Sequence, residues 1–134
     1  MRIVGIDYGD VRIGISISDE SKIIAFPLAY IDGHRDLKKK FENILDGKEI
    51  EKFILGNPLG MNGSAGPMSE KIDKLALKLE LWFGVECVLW DERYTTALAS
   101  HAVRKSGGSG RKGENDMASA TVILQSYLDA MNRK

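Results

Sequence analysis

The sequence predicts an α/β fold, a mixed sheet of five strands flanked by helices. Two patterns carry that expectation. Residues 2–31 hold three strand-like runs separated by tight turns, and residues 37–131 then alternate helical and strand-like periods. A meander followed by such alternation implies antiparallel pairs at one end of a sheet and parallel pairs at the other. At 134 residues and 43% hydrophobic the chain suits one domain, 1–134, and shows no internal repeat or boundary.

The first strand, 2–7, is apolar and ends on Asp7, and Gly9 suits the turn that follows. The second, 13–18, alternates isoleucine with small or polar residues. The third, 22–31, contains Pro27, which cannot donate to a ladder and so marks an edge or a bulge. Leu37, Phe41, Ile44 and Leu45 then recur at helical spacing before Gly47. Residues 52–56 read as the fourth strand. A glycine-rich loop, 56–66, leads to Pro67 at a helix start. Met68, Ile72, Leu75, Leu79, Trp82 and Phe83 mark the inner face of that helix, which Gly84 ends. The fifth strand, 85–90, runs into Asp91 and Glu92. Thr95 or Thr96 can cap a helix with apolar marks at Leu98, Ala99, Ala102 and Val103. A basic glycine-serine loop, 104–113, precedes a last helix from about Asn115, striped by Met117, Ala120, Leu124, Leu128 and Met131.

Several function classes recede on composition. Lys plus Arg and Asp plus Glu both number 19, so any nucleic-acid surface must come from local clustering of charge. No apolar stretch approaches the ~18 residues of a membrane span, and no signal peptide is visible. The one cysteine, Cys87, lies in an apolar run and reads as an inert buried thiol, as suits a reducing cytoplasm. His34 and His101 read as surface or structural residues.

Chemistry concentrates in the carboxylates. Asp7 ends the first strand, Asp91 and Glu92 end the fifth, and Asp116 lies four residues before Ala120 on the buried stripe, so it should face the sheet. Functional groups gather at the carboxyl ends of parallel strands. Converging acids repel, and a cation relieves that repulsion. With oxygen donors alone and no neighbouring His or Cys, Mg²⁺ or Mn²⁺ is favoured over zinc. Two such ions can activate water and stabilise the leaving oxygen of a phosphodiester. Each acid also has a plainer role: a turn, a solvated pair with Arg93, or a helix-terminal charge. Strand alternation alone does not choose between Asp91 and Glu92. Loop 56–66 could cradle phosphate through backbone N–H groups or be only a tight connection. Arg104, Lys105, Arg111 and Lys112, just before Asp116, suit backbone binding without sequence reading.

The residues also carry a family resemblance. Ile6, Asp7, Tyr8 and Gly9, then Arg12, Ile13 and Gly14, then Ser18 and Asp19 resemble the opening of the YqgF/RuvX-like family of Holliday junction resolvases and pre-16S ribosomal RNA nucleases. Gly56, Pro58, Leu59, the run 62–64, Gly66 and Pro67 are similar to its central loop. Asp91, Glu92 and Arg93 with Thr95 and Thr96 resemble its most diagnostic motif, and Asp116 with Ala118, Ala120, 123–125 and 127–129 its closing helix. The resemblance implies a ribonuclease H-like fold, a cytoplasmic location, and Mg²⁺- or Mn²⁺-dependent cleavage of structured nucleic acid. It implies metal ligands at Asp7, Glu92 in preference to Asp91, and Asp116. Arg12 and Arg93 join the loop cations as candidate substrate contacts. The expected substrate is structured RNA, the 5′ end of pre-16S ribosomal RNA, with branched DNA as the alternative. A monomer suffices for the first, whereas symmetric resolution of a four-way junction needs a homodimer. Asn57 stands where the family has an apolar residue, and Ser119 where related resolvases carry a further acid. Two other classes compete: an actin-like ATPase, which needs two lobes, and a nucleic-acid-binding protein with a decayed site.

Overall fold

The central strand is the first one in the chain. β1 (Arg2–Tyr8) pairs antiparallel with β2 (Arg12–Ser18), which pairs antiparallel with β3 (Ala25–Asp32). On its other side β1 pairs parallel with β4 (Ile50–Asn57), and β4 parallel with β5 (Glu86–Asp91). The sheet order is β3-β2-β1-β4-β5. The carboxyl ends of β1, β4 and β5 therefore meet along one edge, and Asp7 is there. The helices are α1 (Leu37–Ile44), α2 (Pro67–Phe83) and α3 (Glu114–Asn132). This computed structural model describes residues 1–57, 67–91 and 113–133. Among the described residues, no helix is long and apolar enough to cross a membrane.

Alternation along each strand divides the interior in two. Val4, Ile6, Phe53 and Leu55 pack with Phe41 of α1 and Ile72, Leu75 and Leu79 of α2. Ile3 and Ile54 pack with Ile123, Leu124 and Leu128 of α3 on the opposite face. Full burial of one such side chain stabilises by roughly 1.5–3 kcal/mol, so these faces fix which way each strand presents its residues.

The five expected strands and three of the expected helices are present among the described residues, with instructive differences. Pro27 satisfies both expectations: β3 is an edge strand, and its register shifts where Ile15 pairs with Ala29 but Ser16 with Pro27. That strand starts at Ala25 rather than residue 22. The Asp19 carboxylate accepts the N–H groups of Ile23 and Ile24 at 2.8 and 3.0 Å, and Lys22 has φ 60°, so these residues belong to the turn. The small residues of β2 do not face water either. Ser16 and Ser18 are fully buried, because α3 covers them. The Ser16 hydroxyl donates to the Ala120 carbonyl at 2.8 Å. The proposed helix after Thr95 and most of loop 56–66 lie outside the described residues.

Candidate active site

Asp7 faces α3. It follows Ile3 and Gly5 at two-residue spacing, and a Cβ on Gly5 would meet Leu124 Cβ at 2.6 Å and the Ala120 carbonyl at 3.1 Å. Two strand residues advance about 6.7 Å and four helical residues about 6 Å. Moving from Gly5 to Asp7 therefore matches moving from Ala120 to Asp116. Asp7 pairs with Gly14 across the β1–β2 ladder, and Gly14 lies directly beneath Asp116.

Three small residues permit this approach. At Gly14 a Cβ would lie 1.9 Å from the Asp116 carbonyl oxygen. At Gly9 it would lie 3.8 Å from Asp116 Oδ1, so the carboxylate sits over the turn after Asp7. Gly113, with φ 81°, is the N-cap of α3, and a Cβ there would lie within 2.5 Å of the Tyr30 ring. Gly113 itself is buried.

Arg12, at the start of β2, is the cation of this corner. Its Nη1 lies 3.6 Å from Asp116 Oδ2, with the two side chains 29% and 26% exposed. A pair this accessible contributes at most about 1 kcal/mol. Among the described residues the buried Arg12 Nε has no hydrogen-bond partner. The N-terminus of α3 adds partial positive charge beside Asp116. Asp7 and Asp116 thus offer carboxylate oxygens on one face. That donor chemistry fits a hard divalent cation. Among the described residues no three His, Cys, Asp or Glu side chains gather as a metal site.

The remaining candidates divide. Val88 and Trp90 of β5 pack on the α3 face, and Cys87 on the face of α1 and α2. Alternation then turns Asp91 away from the face that carries Asp7. Glu92, Arg93, Arg104, Lys105, Arg111 and Lys112 lie outside the described residues. Asn57 pairs with Asp91 in register, and among the described residues its buried Oδ1 has no partner.

His34 has a structural place next to the site. Its Nε2–H donates to the Gly9 carbonyl at 2.9 Å, and its ring stacks on Tyr8 at 4.9 Å between centroids. Burial, helped by Asp10, pushes the Tyr8 phenol up from its ordinary value. Burial likewise pushes the Cys87 thiol up to about 12, which fits the inert role expected for it. Sequence reasoning missed Gln125, which ties α3 to the β3 edge. It accepts from the Ala25 N–H and donates to the Ile23 carbonyl, both at 2.9 Å. Its signal was an amide one residue beyond a buried Leu124.

The chain is similar to known proteins in sequence and in fold. The profile of the RuvX family, described as Holliday junction resolvase, matches residues 1–130. A provisionally named pre-16S rRNA nuclease of Caldanaerobacter subterraneus is 41% identical over 136 residues, covering 97% of each chain. Another from Ruminiclostridium cellulolyticum is 38% identical over 141 residues, covering 100% of this chain and 99% of its own. Among solved structures, Thermus thermophilus RuvC bound to a Holliday junction substrate superposes with a TM-score of 0.64 at 15% identity, covering 98% of this chain and 96% of that one. The fowlpox virus resolvase with Holliday junction DNA gives 0.60 at 12%, covering 99% and 100%. At these identities the structures speak to fold, which is that of the ribonuclease H-like resolvases.

Proposed function

Since the chain belongs to the RuvX family of Holliday junction resolvases and is a nuclease, we propose that it hydrolyses phosphodiesters at the 5′ end of pre-16S ribosomal RNA, using Asp7, Glu92 and Asp116 to hold Mg²⁺ or Mn²⁺. The observation that carries the reading is the shared placement of Asp7 and Asp116 on the α3 face, over the Gly9 and Gly14 backbone. The substrate follows relatives named for it at 35–41% identity and nearly full coverage. A cytoplasmic location is part of the same reading, supported by the relatives named as pre-16S rRNA nucleases.

A divalent cation bound there supplies an activated water and counter-charge for the leaving oxygen. The chain's own residues set the stage. Gly14 brings the α3 backbone onto the sheet, so Asp116 is held by packing rather than by its own side chain. Glu92, the neighbour of Asp91 in the sequence, is taken as the third ligand from the family resemblance. Arg12, paired with Asp116, is placed to meet a phosphate that enters the corner. Residues Arg93, Arg104, Lys105, Arg111 and Lys112 would grip the flanking backbone.

A second reading, cleavage of four-way DNA junctions, follows the family's description. A single assay separates them. The protein is incubated with Mn²⁺ and either a precursor RNA carrying the unprocessed 5′ end or a four-way DNA junction. RNA trimming with an intact junction is expected. Junction cleavage alone would replace the first reading with the second, and two intact substrates would contradict both.

A further inference from the structure

We propose that the cleft between the end of β1 and helix α2 is a second nucleic-acid contact, which takes the phosphate backbone of the single strand leading away from the carboxylate site. The inference rests on the nuclease reading of that site but on different residues. The cleft has a volume of about 320 Å³. Tyr8 and His34 form one wall, and Lys71, Lys74 and Lys78 form the other. The lysines are spaced three and four residues apart, so they stand in one row along α2. All three are exposed, and among the described residues none makes an ion pair. Glu70 lies one turn before Lys74 without pairing to it. The chain carries no net formal charge, so this row is a local concentration rather than part of a general basic excess. Like charges along one helix row repel one another, and an anionic backbone relieves that repulsion.

The aromatic wall selects a single strand. The Tyr8 and His34 rings are stacked with only 13° between their planes, and His34 is exposed. A base freed from its duplex can stack on that outer ring, whatever its identity. Cleft and carboxylate site are also continuous. Asp7 and Tyr8 are neighbours whose side chains take opposite faces of the sheet. His34 donates to Gly9, the residue beneath the Asp116 carboxylate. A strand leaving Asp7 and Asp116 has only this turn to cross before it reaches the lysines.

The test is binding of a fluorescein-labelled single-stranded RNA of about 20 nucleotides, longer than the ~4–16 that one small domain spans. It is done in EDTA across a salt series, with wild type and with Lys71, Lys74 and Lys78 all changed to alanine. Three lost phosphate contacts should flatten the slope of log affinity against log salt by roughly 2. The advantage of wild type should then shrink roughly fifteenfold between 50 and 200 mM salt. A control variant with Lys38, Lys39 and Lys48 changed to alanine removes the same charge outside the cleft. Unchanged affinity and slope in the cleft variant, or an equal loss in the control, would overturn the proposal. A wild type that cleaves nothing yet shows the lysine effect would remove the nuclease site and leave the cleft standing.

Discussion

The Asp116 carbonyl oxygen fills the space in which Gly14 has no side chain. A Cβ at that position would lie 1.9 Å from the oxygen and 3.0 Å from the Met117 nitrogen. Both atoms are backbone, so neither can turn aside. The contact sets how deeply the start of α3 sits on the sheet, and hence where the Asp116 carboxylate lies relative to Asp7, the cross-strand partner of Gly14.

Gly14→Ala should therefore lift the first turn of α3. The expected cost is about 1–3 kcal/mol, as for other overpacked interiors, seen as a fall of several degrees in Tm. Cleavage should fall further than the folded fraction does. Gly5→Ala is the comparison, since its Cβ would meet Leu124 Cβ at 2.6 Å, two helical turns from Asp116. It should lower Tm similarly while the folded protein keeps more of its activity. Equal specific activities in the two variants would separate Gly14 from the site.

Arg12→Ala removes the cation 3.6 Å from Asp116. Two effects of opposite sign should follow. Substrate binding should weaken, and its salt slope should flatten by roughly 0.7–0.9, the share of one phosphate contact. The Mn²⁺ concentration for half-maximal cleavage should fall, because a positive charge no longer competes with the metal. Titration of Mn²⁺ at saturating substrate measures the second effect, and a rise in that concentration would contradict it.

Cys87 should resist thiol reagents in the folded protein. Burial, with Glu80 and Glu86 adding to it, raises its pKa from 9.0 to about 12. The native state then keeps its proton where the unfolded chain loses it. This contribution to stability is fully present below about pH 9 and declines as pH rises from there through about 12. Ellman's reagent at pH 8 should react slowly with native protein and rapidly in urea. Rapid reaction without urea would show an accessible thiolate.

Much of the fold was legible in the sequence because its signals are local. Pro27 announced an edge strand with a bulge, and Gly47 and Gly84, with φ 77° and 68°, mark helix ends. Ala120 and Leu124 marked the buried face that carries Asp116 inward. What stayed hidden depends on contacts between distant residues. Alternation in β2 resembles a strand with one wet face, and only the docking of α3 some 100 residues later explains why Ser16 and Ser18 are buried. The close approach of Gly113 to Tyr30 was hidden too, because nothing in the sequence around Gly113 points to a residue in β3. That Asp91 turns to the α1/α2 face needed the partition of Cys87, Val88 and Trp90 between the two layers.

The most direct test of the central claim is the Mn²⁺-dependent cleavage rate of Asp7→Asn beside wild type, with a melting curve for each. Loss of an outer partner of a metal ligand typically costs 10–100-fold, so loss of a ligand charge should cost more than about a hundredfold. The folded state should persist, because the change keeps the shape of the side chain and relieves repulsion with Asp116. A cleavage rate below about one hundredth of wild type in a protein that melts normally is the predicted result. Wild-type cleavage at the same Mn²⁺ concentration would show that Asp7 does not hold the metal.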